Sequence, residues 1–144
     1  LLVNTLSKPL MLGIYQNDTL IKSYESDEKA SEWLPCILEK LLKKYEFSSL
    51  IYANGPGSYM GIKISYVCLK TLSIVKNIPL LAVNAFELNN FGPICANKNL
   101  CFVYKDKEII LEKNTPSKFF LPKNLKELNQ DNDNLPLYFL DEVF

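Results

Sequence analysis

The chain has 144 residues, 48% of them hydrophobic, with 16 basic and 16 acidic side chains and a formal net charge of zero. That length and apolar content support a packed core and argue against wholesale disorder, and the neutral balance argues against strong independent binding to RNA. There is no histidine and every basic residue is a lysine, which also excludes imidazole acid–base catalysis and bidentate arginine recognition of phosphate.

Residues 1–6 (LLVNTL) read as a strand, and PLMLGIYQNDTLIKSYES reads as two more strands around the polar turn Gln16-Asn17-Asp18-Thr19. Residues 27–45 place Trp33, Ile37, Leu41 and Tyr45 at helical spacing, beside Leu34, Leu38 and Leu42. Acidic residues open that helix and Lys43 and Lys44 close it, as the helix dipole favours. Pro35 either kinks it or marks its first turn. A short buried strand, SSLIYA, leads into a glycine loop and a helix from about Ser58 to Lys76, which Asn77 and Pro79 terminate. PLLAV is the next strand.

After about Phe91 the texture changes. A second hairpin is predicted around Lys105-Asp106-Lys107, followed by the polar stretch LPKNLKELNQDNDN with one or two helical turns at most. LPLYFLDEVF closes the chain as a strand or a docked tail. The order β-β-β-α-β-α-β predicts a mixed sheet with helices packed on it, in an N-terminal lobe of residues 1–88 and a reduced C-terminal lobe of 89–144.

The cysteines, Cys36, Cys68, Cys95 and Cys101, form no C-x-x-C pair, and no metal site is predicted. Cys36 and Cys68 lie in helix-like apolar runs, where a buried thiol is expected. With no signal peptide and no long apolar span, the expectation is a reduced, cytoplasmic protein without a membrane partner.

The loop Gly55-Pro56-Gly57-Ser58 ends on a residue suited to cap the following helix by accepting from the Gly61 amide. Free amides at a positive helix end are the physical basis of anion binding, so Gly55, Gly57 and Ser58 form a candidate phosphate loop. The loop lacks the Gly-Lys-Ser/Thr ending and the G-x-G-x-x-G spacing of nucleotide motifs, which leaves a tight strand-to-helix turn equally open. Ser58 has no histidine to act as its base, and pairing with Lys63 has no supporting context; no catalytic residue is predicted.

The helix that follows is apolar nearly all round, whereas a helix packed on a sheet needs one stripe. Gly61, Ser65 and Cys68 add a strip of small residues where another helix could approach. A protein–protein interface is therefore expected, assigned to Trp33, Ile37, Leu41, Met60, Gly61, Ile64, Ser65, Cys68 and Leu72.

The segment YANGPGSYMGIKISYVCLKTLSIVKNIPLLAVNAFE resembles the glycine signature of the TsaB (YeaZ) family, GxGPGSFTGxRIG. The likeness runs in order from residue 1 to about 88, and PLYFLDEVF resembles the family's closing P-x-Y-L/I-R-x-x-V; residues 92–134 match weakly and are fewer than usual. The resemblance implies the actin/hexokinase/Hsp70-like (ribonuclease H-like) fold with a truncated second lobe. It also implies a non-catalytic subunit that binds TsaD through its first two helices, for threonylcarbamoyl transfer to the tRNA adenosine next to the anticodon. A TsaE-like ATPase would join the pair, and tRNA would be met only through the complex. The isolated subunit would carry no cofactor and would pair with itself, with ATP or ADP entering only at a complex interface.

Several positions depart from that pattern. Asn4-Thr5-Leu6 stands where the family has Asp-Thr-Ser, and Met60, Lys63 and Ser65 replace the usual Thr, Arg and Gly. These changes would impair a nucleotide site and leave an apolar helix pair intact. The alternative is a stand-alone phosphotransfer enzyme of the actin-like ATPase fold. It would need a carboxylate near the loop, but of the early acids Asp18, Asp27 and Glu28 none sits at the expected strand end.

Overall fold

A computed structural model describes residues 1–138. Strands β1 (Leu2–Asn4), β2 (Leu10–Gln16) and β3 (Thr19–Ser26) form an antiparallel meander, and β4 (Leu50–Ala53) and β5 (Leu80–Val83) extend it in parallel beyond β1. The sheet order is β3-β2-β1-β4-β5. Helix α1 (Ala30–Leu42) connects β3 to β4, and α2 (Tyr59–Lys76) connects β4 to β5, the long crossovers that parallel pairing requires.

The hairpin turn lies where the sequence places it. Asn17 and Asp18 both take positive φ, 52° and 65°, the two-residue turn whose twist suits the flanking strands. Asn77 closes α2 in the left-handed conformation (φ 55°, ψ 50°), with its amide donating to Ser73 O. Pro35 is neither the first residue nor the end of α1 but lies inside it. Its ring is on the exposed side, and Ser31, whose carbonyl it leaves without an amide donor, is exposed as well.

Alternation along the strands splits the core in two. Val3, Leu12, Tyr52 and Leu80 face α1 and α2, meeting Leu34, Leu38 and Leu69. Leu2, Ile51 and Val83 face the opposite way, onto Phe86, Leu88, Ile94 and Phe102. The second group draws on a smaller antiparallel sheet, β6 (Ile94–Cys95), β7 (Cys101–Lys105) and β8 (Glu108–Glu112), in the order β6-β7-β8. Residues before and after Phe91 thus share one core. The predicted hairpin around residues 105–107 is the β7–β8 turn, with Asp106 and Lys107 at positive φ.

The polar stretch holds one short 3₁₀ turn, Leu125–Glu127. Beyond it the chain returns to the β4–β5 end of the sheet: Ala82 and Asp131 exchange backbone hydrogen bonds, and Leu137 N donates to Asn54 O at 2.7 Å. The predicted closing tail is docked as far as Tyr138; its remainder, 139–144, lies outside the described residues.

Candidate functional site

The glycine loop is a joint. Asn54 N donates to Val83 O, Gly55 O accepts from Ala85 N, and Ser58 N donates to Leu6 O. Ser58 Oγ accepts from Gly61 N at 3.1 Å, the cap expected from the sequence. The hydroxyl of Thr5 donates to Gly61 O at 2.6 Å, and Asn4 Oδ1 accepts from Leu6 N at 3.0 Å. The Ser58 amide is thus committed to the β1–β2 turn and the Gly61 amide to the cap, while the Thr5 hydroxyl fastens α2 to the end of β1.

Two glycines are obligatory in this joint. Gly55 sits at φ +126°, and a Cβ there would run into Leu137 O. At Gly61 a Cβ would overlap Thr5 O, with Thr5 C at 2.9 Å. The tail covers the loop from outside: Asn54 Nδ2 donates to Leu135 O at 3.2 Å, and the Tyr59 and Tyr138 rings lie 4.7 Å apart.

A concavity of about 420 Å³ opens beside the joint. Thr5, Ser7 and Lys8 line it from the β1–β2 turn, Lys29 and Ser31 from the start of α1, and Ser58 from the start of α2. Two lysines and two helix N-termini make it electropositive. The described residues lining it include no carboxylate to hold a divalent cation.

The nine residues assigned to an interface separate into two groups. Trp33, Leu41, Gly61 and Ser65 are buried within this chain. At Gly61 the start of α2 lies against Thr5 at the end of β1, and the buried Ser65 hydroxyl donates to Ile62 O within the helix at 3.1 Å. Ile37, Ile64, Cys68 and Leu72 are half-buried, and Met60 is exposed. Val67, Ile74 and Val75, outside those nine, are 53%, 71% and 72% exposed. With Met60 they recur at helical spacing on the outer side of α2, a second stripe that a helical projection would have separated from the buried one.

Between the helices lies a shallow apolar groove of about 400 Å³. Pro35, Leu38 and Leu42 form one wall and Val67, Cys68 and Leu72 the other, with Glu39 and Thr71 adding polar groups. Burial pushes the Cys68 thiol above its ordinary pKa, keeping it protonated and a small apolar surface in effect. Among the described residues, no cluster of His, Cys, Asp or Glu could hold a metal ion, and no helix is long and apolar enough to cross a membrane.

The strand order, the paired helices on one face and the glycine joint define a mixed α/β domain of the actin-like, ribonuclease H-like class. Residues 24–103, more than half of the chain, match the family model described as TsaD, tRNA N6-adenosine threonylcarbamoyltransferase. The chain belongs to that family.

Over 94 residues it is 29% identical to the tRNA threonylcarbamoyladenosine biosynthesis protein TsaB of Bacillus subtilis (strain 168). That match covers 60% of this chain and 41% of the relative, so the chain corresponds to well under two thirds of that protein. Among solved structures, YeaZ from Pseudomonas aeruginosa superposes with a TM-score of 0.56 at 15% identity, covering 78% of this chain and 63% of that one. A protein described as similar to the peptidase YeaZ from the same organism gives 0.52 at 16% identity, covering 80% and 65%. At those identities the two structures support the fold.

Proposed function

We propose that the chain is a non-catalytic scaffold or activator subunit that binds a TsaD-like partner and supports threonylcarbamoyl transfer to the tRNA adenosine next to the anticodon. The observation that carries this reading is the outer stripe of α2, where Met60, Val67, Ile74 and Val75 stand in solvent beside the α1–α2 groove. Removing such surface from water yields about 25 cal/mol per Å². A second apolar helix pair laid across it would collect that energy without displacing anything from the core. Isolated copies would use the same stripe to pair with each other. A TsaE-like ATPase would join the heteromer, and the neutral chain would meet tRNA only through it.

In this role Ser58 is a helix cap and no nucleotide is needed by the subunit alone; ATP or ADP would enter only at a complex interface. The alternative phosphotransfer reading has one observation in its favour, the electropositive concavity beside Lys8 and Lys29. Titration of the isolated protein with ATP and magnesium separates the two, tight binding favouring the enzyme. For the scaffold, Val67→Asp places a charge on an exposed position and should abolish co-purification with the TsaD-like partner while leaving the melting temperature nearly unchanged. A folded Val67→Asp protein that still co-purifies in full yield would refute the docking face.

A further inference from the structure

Cys95 ends β6 and Cys101 begins β7, and the antiparallel register sets them directly opposite each other. The next rung is hydrogen-bonded, with Ala96 N donating to Leu100 O at 3.0 Å. Rungs of an antiparallel ladder alternate in kind, so the cysteine rung is a non-hydrogen-bonded one, where Cα atoms come within about 4.5 Å and side chains approach most closely. A disulfide accepts Cα separations of about 4.4–6.8 Å, and directly opposed side chains leave the sheet on the same face. The two sulfurs can therefore meet without moving the backbone.

Both thiols are free, and each makes only a weak contact: Cys95 Sγ to Asn97 O at 3.6 Å, and Cys101 Sγ to Asn114 O at 3.2 Å. Their accessibility differs, Cys95 being exposed and Cys101 buried. Burial first, and then the neighbouring Cys95, push the Cys101 thiol above its ordinary pKa. The exposed sulfur is thus the one that meets an oxidant, and the buried one resolves the product.

We propose that Cys95 and Cys101 are a reversible modification site, which low-molecular-weight disulfides such as oxidised glutathione convert into a cross-strand disulfide. Cys95 loses its proton and attacks one sulfur of the oxidant, breaking the oxidant's S–S bond and releasing one thiol, which takes up that proton. Cys101 then loses its proton and attacks the Cys95 sulfur, expelling the second thiol. Two hydrogens and two electrons pass from the protein to the oxidant, which leaves as two thiols. The product ties the two-residue β6 to β7 and closes the Ala96–Leu100 turn.

Lys98 lies between the two cysteines, so trypsin reports the link directly. The folded full chain is incubated with oxidised glutathione, alkylated and digested. The expected product is peptide 77–98 joined to peptide 99–105, the pair roughly 2 Da lighter than their sum, and separated again by dithiothreitol. Cys95→Ser, at an exposed position, should abolish the link and leave Cys101 unmodified at the concentrations that oxidise the wild type. Cys101→Ser should stop at a stable glutathione adduct on Cys95. A wild-type protein that stops at that adduct, remains fully alkylatable, or links Cys95 to Cys36 or Cys68 would overturn the proposal.

Discussion

Gly61→Ala tests whether α2 is fastened to the first strand by close backbone contact. Glycine inside a helix costs about 1 kcal/mol relative to alanine, so propensity alone predicts that the substitution stabilises. The structure predicts the opposite sign, because the added Cβ would overlap Thr5 O and press on Thr5 C at 2.9 Å and Ser58 Cβ at 3.3 Å. The first two obstacles are backbone atoms of a buried turn, which cannot yield as a side chain would. Forcing a methyl group into such a contact costs about 1–3 kcal/mol. The displacement also weakens the buried hydrogen bond from Thr5 to Gly61, worth about 1 kcal/mol more. After the propensity gain is subtracted, the net loss is about 1–3 kcal/mol, or roughly 2–10 °C in melting temperature for a chain of this size. Urea unfolding followed by circular dichroism measures it. A variant as stable as the parent, or more stable, would refute the joint.

Ser58→Ala removes the cap on Gly61 N and should cost about 1 kcal/mol in the same assay, with no effect on any activity of the assembled complex. Leu69→Ala, at a fully buried position between α2 and the sheet, should cost about 2–5 kcal/mol, whereas Val75→Ala on the outer stripe should stay within about 0.5 kcal/mol. Alkaline pH should destabilise the fold through two tyrosines. The Tyr15 hydroxyl donates to Pro122 O at 2.7 Å and that of Tyr52 donates to Asn134 O. Burial foremost pushes both above the ordinary value of 10.0, with Glu127 adding to the effect on Tyr15, and Tyr66, Tyr138 and Asp133 to that on Tyr52. A raised folded-state pKa contributes stability that is complete below the unfolded value and is lost as pH climbs past it. Urea midpoints measured across that range should fall above about pH 10, and more gently in Tyr52→Phe; equal slopes in the two proteins would contradict the assignment.

Elements with a local cause were legible in the sequence. Asn17-Asp18 and Asp106-Lys107 turn their hairpins because short polar residues tolerate the left-handed conformation in three of those four positions, and Asn77 ends α2 for the same reason. Ser58 was recognisable as a cap because its partner lies three residues away. The burial of the nine assigned residues was harder to read, since it depends on which side of α1 and of α2 meets the sheet. A helix apolar all round does not disclose its inner side, and only packing shows that Gly61 and Ser65 are buried while Met60 is exposed.

From its residues alone the chain determined the element order through β5, its hairpin turns and the α2 caps, the lack of imidazole chemistry, and a surplus of apolar surface on one helix. Those properties depend on neighbours within a few positions or on composition. Only the tertiary structure decided that the Ser58 amide is spent on Leu6, that Asn54 accepts from the docked tail, that Val67, Ile74 and Val75 face solvent, and that Cys95 opposes Cys101. Each of those outcomes pairs residues distant along the chain or selects one side of an element, and pairing and facing are properties of packing.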